Sequence, residues 1–168
     1  MAVSRNNLKE TTKLKEMSMY RNVIAGLLLL ATLVVSGCAS VPMGSNDADQ
    51  ALKQFPTPPQ EKAGLYVYRD SFMGKALKKS VSLDGQLLGE TANGVYFYEV
   101  IEPGEHSLST ESEFSDNSID FMADAGENYF VEQYIKMGVF VGGAGLNMVE
   151  KTKGMEAVRE CCRLAASQ

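Results

Sequence analysis

The chain has 168 residues, with 16 Lys and Arg against 21 Asp and Glu, a formal net charge of −5 and one histidine. That length suits one ordinary domain, and the acidic balance argues against nucleic acid or anionic head groups held by charge. A single histidine and three cysteines leave little material for a metal centre or for acid–base catalysis.

The first element is an uncharged apolar run from Val23 to Val35, behind Lys9, Lys13, Lys15 and Arg21. It is short for a membrane span, which needs about 20 residues. The order of basic region, apolar core and small residues is that of a secretory signal. The run ends in Val35-Ser36-Gly37-Cys38, which resembles the bacterial lipobox. The resemblance implies a signal peptide over 1–37 and cleavage between Gly37 and Cys38. It further implies a diacylglyceryl thioether on Cys38, with acyl chains such as palmitate as the membrane anchor. Ala39 and Ser40 follow instead of Asp, which by the same resemblance favours the periplasmic face of the outer membrane. The competing reading is a membrane-anchor helix with an incidental cysteine, and Met17 and Met19 are alternative starts. Five basic and two acidic residues precede Cys38, so residues 38–168 hold 11 Lys and Arg against 19 Asp and Glu, a net of −8.

Four of the five prolines fall before residue 60, and 38–62 reads as a lipidated N-terminus followed by a Pro-rich tether. Within it, "NDADQALKQF" is compatible with a turn or two of helix capped by Asn46 or Asp47, and equally with disorder. The folded domain is expected over 63–168. "GLYVYR" (64–69) reads as a strand. "KSVSLDGQLLGE" (79–90) reads as a hairpin, because Asp84-Gly85 supplies two residues that tolerate positive φ. Asn93-Gly94 repeats the device before "VYFYEVI" (95–101), and Pro103-Gly104 sets the next turn. "EHSLSTESE", "SIDFMA" and "NYFVEQYIK" continue the pattern, the first two with strict alternation. "MGVFVGGAGLNMVE" (137–150) reads as a glycine-loosened strand or hairpin with a mobile glycine tip. In "GMEAVRECCRLAA" (154–166), Met155, Val158, Cys162 and Ala165 recur at helical spacing. Seven short strands and a terminal helix predict a mainly β fold, a small antiparallel β-sandwich with a C-terminal α-helix.

The order "VSLDGQLLGE", "EPGEHSL", "DAGENYFVEQY" and terminal helix resembles bacterial envelope lipoprotein domains of the DUF type, which carry no assigned function. The resemblance covers about 63–165 and implies a prealbumin-like or immunoglobulin-like sandwich. It brings no catalytic residues with it.

Candidate sites are few. His106 begins an alternating strand, and no nucleophile-elbow pattern accompanies it, so the expectation is a structural histidine. No metal and no cofactor are expected. For the adjacent pair Cys161 and Cys162, three readings stay open: two buried thiols, an intermolecular bridge, or a vicinal disulfide. "VGGAGLN" lacks the lysine and spacing of a phosphate loop. Its neighbours Phe140 and Val141, and the aromatic pair Tyr96 and Tyr98, are a candidate contact patch. Tyr66, Tyr68, Tyr96 and Tyr98 share one strand face that is able to stack on a glycan. Glu99, Glu102, Glu105, Glu111 and Glu113 read as a solvated edge that discourages aggregation.

The expected function is non-enzymatic. The chain reads as a lipid-anchored envelope module joined to the membrane through Cys38 and serving an envelope protein partner. The alternatives are a small hydrolase or redox enzyme using His106 or Cys161/Cys162, and a glycan-binding module.

Overall fold

Seven consecutive buried residues, Ala63–Arg69, form β1, the strand around which the domain is built. In this computed structural model the described residues are Met17, Met19, 39–112, 117–138 and 142–167. The chain divides into two units, 1–37 and 38–168, and the fold described is that of the second.

Nine strands lie in two sheets among the described residues: β1, β2 (Lys79–Leu83), β3 (Gln86–Thr91), β4 (Val95–Ile101), β5 (Gly104–Thr110), β6 (Asn117–Ala123), β7 (Asn128–Lys136), β8 (Gly143–Val149) and β9 (Arg163–Leu164). The larger sheet has the order β8-β7-β1-β4-β9 and the smaller β3-β2-β5-β6. Two helices complete the domain: α1 (Asn46–Leu52) and, near the C-terminus, α2 (Lys151–Cys161). The fold is mainly β, as expected from the spacing of strands and turns. The smaller sheet is antiparallel throughout. The larger is mixed, because β1 runs parallel to β7 and β4 runs parallel to β9.

Turn chemistry acts where it is local. Asp84 and Gly85 adopt φ of 51° and 79° and close the β2–β3 hairpin with Leu83 opposite Gln86. Asn93-Gly94 carries a similar signal, yet β3 and β4 lie in different sheets, so this turn crosses the sandwich instead of closing a hairpin. The glycines of "VGGAG" are also placed differently from the expectation of a mobile tip. Gly143 and Gly145 are buried within β8, where Gly145 faces Tyr134 across the ladder. A β-carbon at Gly145 would lie 2.6 Å from the Tyr134 ring.

Inward residues of both sheets make the central core, including Leu65, Val67, Val81, Leu108, Phe121 and Val131. A buried polar bridge crosses it. Gln133 of β7, fully buried, donates from Nε2 to Thr110 Oγ1 at 2.7 Å and pairs through Oε1 with the Thr91 hydroxyl. Buried amides and hydroxyls are tolerated when each finds a partner, and this set ties the two sheets in one register.

The outer face of the larger sheet is covered as well. Phe55, Tyr66, Tyr68, Tyr96, Phe130 and Val158 form a second core beneath the two helices. The segment read as a tether is therefore laid onto the domain. Val41 and Phe55 are buried, Met43 bridges to Ala165, and the Gly44 amide donates to the Leu164 carbonyl at 2.9 Å. Helix α1 forms, with its cap one residue before the expected pair: Ser45 Oγ accepts from the Ala48 amide at 3.2 Å.

Helix α2 begins and ends three to five residues earlier than the apolar spacing suggests. Beyond Cys161 the chain extends, because Arg163 and Ala165 donate to the carbonyls of Gly94 and Tyr96 at 3.0 and 2.8 Å. Sheet hydrogen bonds there replace the helical ones, so Cys162 and Ala165 are buried from an extended segment. Among the described residues no helix is long and apolar enough to cross a membrane.

Candidate functional site

The sandwich has two unlike ends. At the end where β1 begins, His106 is held between two acceptors. Its Nδ1 lies 2.7 Å from Asp84 Oδ2 and its Nε2 2.8 Å from the Glu102 carbonyl. Neither a carboxylate nor a carbonyl can donate, so the arrangement suits the imidazolium form, in which both ring nitrogens donate. Burial by itself would lower the His106 pKa. The bonds to Glu102 and Asp84 and the charge of Asp84 outweigh it, and the net shift is upward. For Asp84, burial pushes the carboxyl upward. The Ser107 amide and His106 overcome that effect and hold it below its usual value.

This arrangement clamps the β2–β3 turn onto β5, since Asp84 Oδ1 also accepts from the Ser107 amide at 2.9 Å. The sign of the linkage follows from the two shifts. The His106 contribution is complete below its unfolded pKa and is lost as pH rises through the folded value. The Asp84 contribution is complete above its unfolded pKa and is lost as pH falls through its folded value. The clamp is therefore strongest between the usual Asp and His values, about 4 to 6.5. The melting temperature of the wild type should exceed that of His106→Gln by more at about pH 5.5 than at about pH 9. Thermal melts at the two values check it, and an equal gap at both would refute the imidazolium assignment.

The opposite end, where β1 finishes, holds Arg69. Its side chain is fully buried and reaches the carbonyls of Gly74, Leu77 and Thr91 at 2.5, 3.0 and 3.4 Å. Burial lowers its pKa. Guanidinium groups stay charged in proteins, so this end carries a fixed cation under the 70–78 loop. Cys161 and Cys162 lie at the same end and are joined as a vicinal disulfide, the third of the open readings. Cys162 is buried, with its sulfur 3.8 Å from the Arg69 carbonyl.

The other sequence candidates are placed as follows. Tyr96 is fully buried, and its hydroxyl reaches the Asp49 carbonyl at 3.4 Å. Tyr66 is fully buried too, donating to the Leu52 carbonyl at 2.9 Å and stacking on Phe130 with centroids 4.9 Å apart. Burial pushes the Tyr66 and Tyr96 hydroxyls up, and Tyr68, with Glu132 and Asp70 adding to burial, to about 12. Tyr98 is half-buried against Tyr66, 4.7 Å between centroids. The tyrosines do share a face, but α1, α2 and Phe55 cover it. The face that Tyr96 and Tyr98 share is a second core, with Tyr96 buried in it and Tyr98 at its half-buried margin. Gly37, Cys38, Phe140 and Val141, and Glu113 of the acidic group, lie outside the described residues.

The acidic row is not a single solvated edge. Glu99 faces the inter-sheet side opposite Leu65, half-buried. Its Oε1 has no hydrogen-bond partner among the described residues. Glu111 accepts from the Ser80 amide at 3.3 Å and pairs with Lys79 at 3.7 Å. Glu102 pairs with Lys62, and Glu105 is exposed. Among the described residues no group of three or more His, Cys, Asp or Glu side chains is placed to hold a metal ion.

Sequence reasoning passed over Phe72 and Met73. They stand exposed at the Arg69 end with Met137. The signal was an apolar pair in a glycine- and lysine-bearing loop, "DSFMGKALKK", where turn residues alone would serve.

Residues 59–144, from just before β1 to the second residue of β8, match the family model described as "Protein of unknown function (DUF2846)". The matched span holds both sheets apart from most of β8 and β9, and leaves out the clasp between 41–49 and 163–166. A Haemophilus influenzae protein named "Uncharacterized protein" is 49% identical over 126 residues, 75% of each chain. The chain belongs to the DUF2846 family.

Proposed function

We propose that this protein is a lipid-anchored, non-enzymatic module of the bacterial envelope. In this reading the chain is cleaved between Gly37 and Cys38, acylated on Cys38 and held at the periplasmic face of the outer membrane. The carrying observation is the coincidence of a motif with a fold boundary. Val35-Ser36-Gly37-Cys38 resembles a lipobox, and the division of the chain into two units falls between Gly37 and Cys38. Val41, three residues on, is already buried in the domain.

Two further observations favour an interaction module over a hydrolase built on His106 and over a glycan binder. His106 has both nitrogens engaged in a structural clamp and has none free to move a proton. The tyrosine face is covered by helices instead of being open to a sugar ring. Anchoring confines the domain to a surface and raises its effective concentration for an envelope partner without new contacts.

The test is the intact mass of protein purified from membranes, beside a Cys38→Ser variant. The expected wild-type species begins at Cys38 and carries acyl mass, while the variant carries none and keeps residues 1–37. A wild type that keeps 1–37 without lipid would sink the reading. The same spectrum reads whether Cys161 and Cys162 have lost two hydrogens.

A further inference from the structure

Among the described residues, the two most exposed large apolar side chains, Phe72 and Met137, are each 86% in solvent, and both lie at the Arg69 end with Met73 at 45%. Met73 and Met137, with Leu77 and Ile135, line an open groove of about 390 Å³, and Phe72 precedes Met73 in the chain. Single exposed apolar residues are ordinary, but a cluster around an apolar groove marks a surface that is covered in use.

Two lysines stand beside these apolar side chains. The Lys75 ammonium lies 4.7 Å above the Phe72 ring and that of Lys136 lies 5.6 Å from the Tyr134 ring. Neither makes an ion pair among the described residues. Arg69 is buried beneath them. Asp70 opens the same loop beside Glu132 and Glu111 pairs with Lys79, so the end is mixed in charge, with two lysines unpaired among the described residues beside its apolar side chains.

The chain also enters the domain here. The Ala39 amide donates to the Lys75 carbonyl at 3.2 Å, and Ala39 packs beside Val41 and Val95. Ala39 follows Cys38 directly in the chain. An acyl anchor on Cys38 would thus leave the domain beside the Lys75 carbonyl, with no length of free tether between.

From this juxtaposition we propose that the Arg69 end docks on the lipid surface. Phe72, Met73 and Met137 enter the boundary between head groups and acyl chains, while Lys75 and Lys136 meet anionic head groups. This placement rests on the acylation of Cys38. Apolar side chains gain by leaving water at that boundary, and nearby lysines add attraction to anionic lipid. A long flexible linker would let the domain turn freely, whereas a connection pinned at Ala39 sets one end towards the bilayer. The His106 end then faces away and is free for a partner.

The experiment uses the membrane-purified lipoprotein in equimolar phosphatidylethanolamine and phosphatidylglycerol vesicles, after its acyl mass has been read. Brief peroxide treatment is followed by peptide mass spectrometry of methionine sulfoxide. Met122, 61% exposed and paired with Glu105 at the other end, is the internal reference. Exposure alone makes Met137 oxidise at least as fast as Met122, whereas docking makes it several-fold slower. A phospholipid bearing a diazirine at its acyl terminus should label peptides containing 70–78 and 136–138 above the peptide containing Met122. Acyl mass with Met137 as reactive as Met122 and no preferential labelling overturns the docking alone. Absence of acyl mass overturns the anchor and the docking together. Protection in native envelope membranes but not in these vesicles assigns this end to a protein partner and overturns the lipid assignment.

Discussion

Replacing Arg69 by Met should destabilise the domain by on the order of 3 kcal/mol, lowering the melting temperature by roughly 10 °C. Met keeps the apolar length of the side chain but cannot donate. The carbonyls of Gly74, Leu77 and Thr91 then lose their guanidinium donor, and each buried acceptor left unsatisfied costs about 1–3 kcal/mol. Part of that cost is recovered because a buried cation no longer needs to be solvated by the protein. Arg69→Lys keeps the charge on a single ammonium that cannot match three divergent carbonyls, so its loss should be intermediate. The measurement is thermal unfolding followed by near-ultraviolet circular dichroism of the buried tyrosines. A melting temperature unchanged in Arg69→Met would refute the account of this end. The 70–78 loop should also become cleavable by protease at lower concentration in the variant, since Arg69 bonds hold two of its carbonyls.

Gly154→Ala should destabilise by about 2 kcal/mol, the opposite sign to the same change in a solvent-facing helix. At an exposed interior position alanine gains about 1 kcal/mol over glycine. Gly154 is buried on the face of α2 that meets β7, and a β-carbon there would fall on Cβ and the ring of Phe130. Phe130 cannot swing aside, because it stacks on Tyr66 and meets Phe55 edge-on at 5.7 Å. Overpacking of this kind costs about 1–3 kcal/mol beyond any propensity gain. Equilibrium denaturation reads it. A stabilised Gly154→Ala would mean that α2 stands further from the sheet than described. Gly154 lies outside the span matched by the family model, so the close approach of α2 belongs to the way this chain covers the outer face of its larger sheet.

Of the two ends, one is a structural clamp and the other carries the surface features. At the first, His106 is held between the Asp84 carboxylate and the Glu102 carbonyl, and the other Asp84 oxygen accepts from the Ser107 amide. At the second, Phe72 and Met137 are left in solvent, at the end where the Ala39 amide meets the Lys75 carbonyl.

Some features were legible because they depend on neighbours in sequence. The alternation of Leu108 and Thr110 against Ser107 and Ser109, and of Phe121 and Ala123 against Asp120 and Met122, follows from strands buried on one face only. The Asp84-Gly85 hairpin needs only its two central residues. The lipobox-like motif is likewise a local string. Other features had no local signal. Asn93-Gly94 bends the chain as expected, but whether the next strand returns beside the last depends on which sheet has room for it. Arg69 at the end of an apolar strand reads as a solvent-facing charge, and only the 70–78 loop folding back over it makes it a buried donor.

Sequence alone thus determined seven of the nine described strands, the Asp84-Gly85 turn, the mainly β class and the presence of a helix near the C-terminus, because period and turn propensity are properties of short windows. The tertiary structure decided the rest. It ran β1 parallel to β7 across some sixty residues and laid 41–55 over the tyrosines. It also ended α2 at Cys161 in favour of a sheet pairing, and it brought the Ala39 amide onto the Lys75 carbonyl of the 70–78 loop. Each is a choice between partners far apart in the chain, made by the total apolar surface buried and the backbone groups satisfied, and no window of neighbouring residues contains that information.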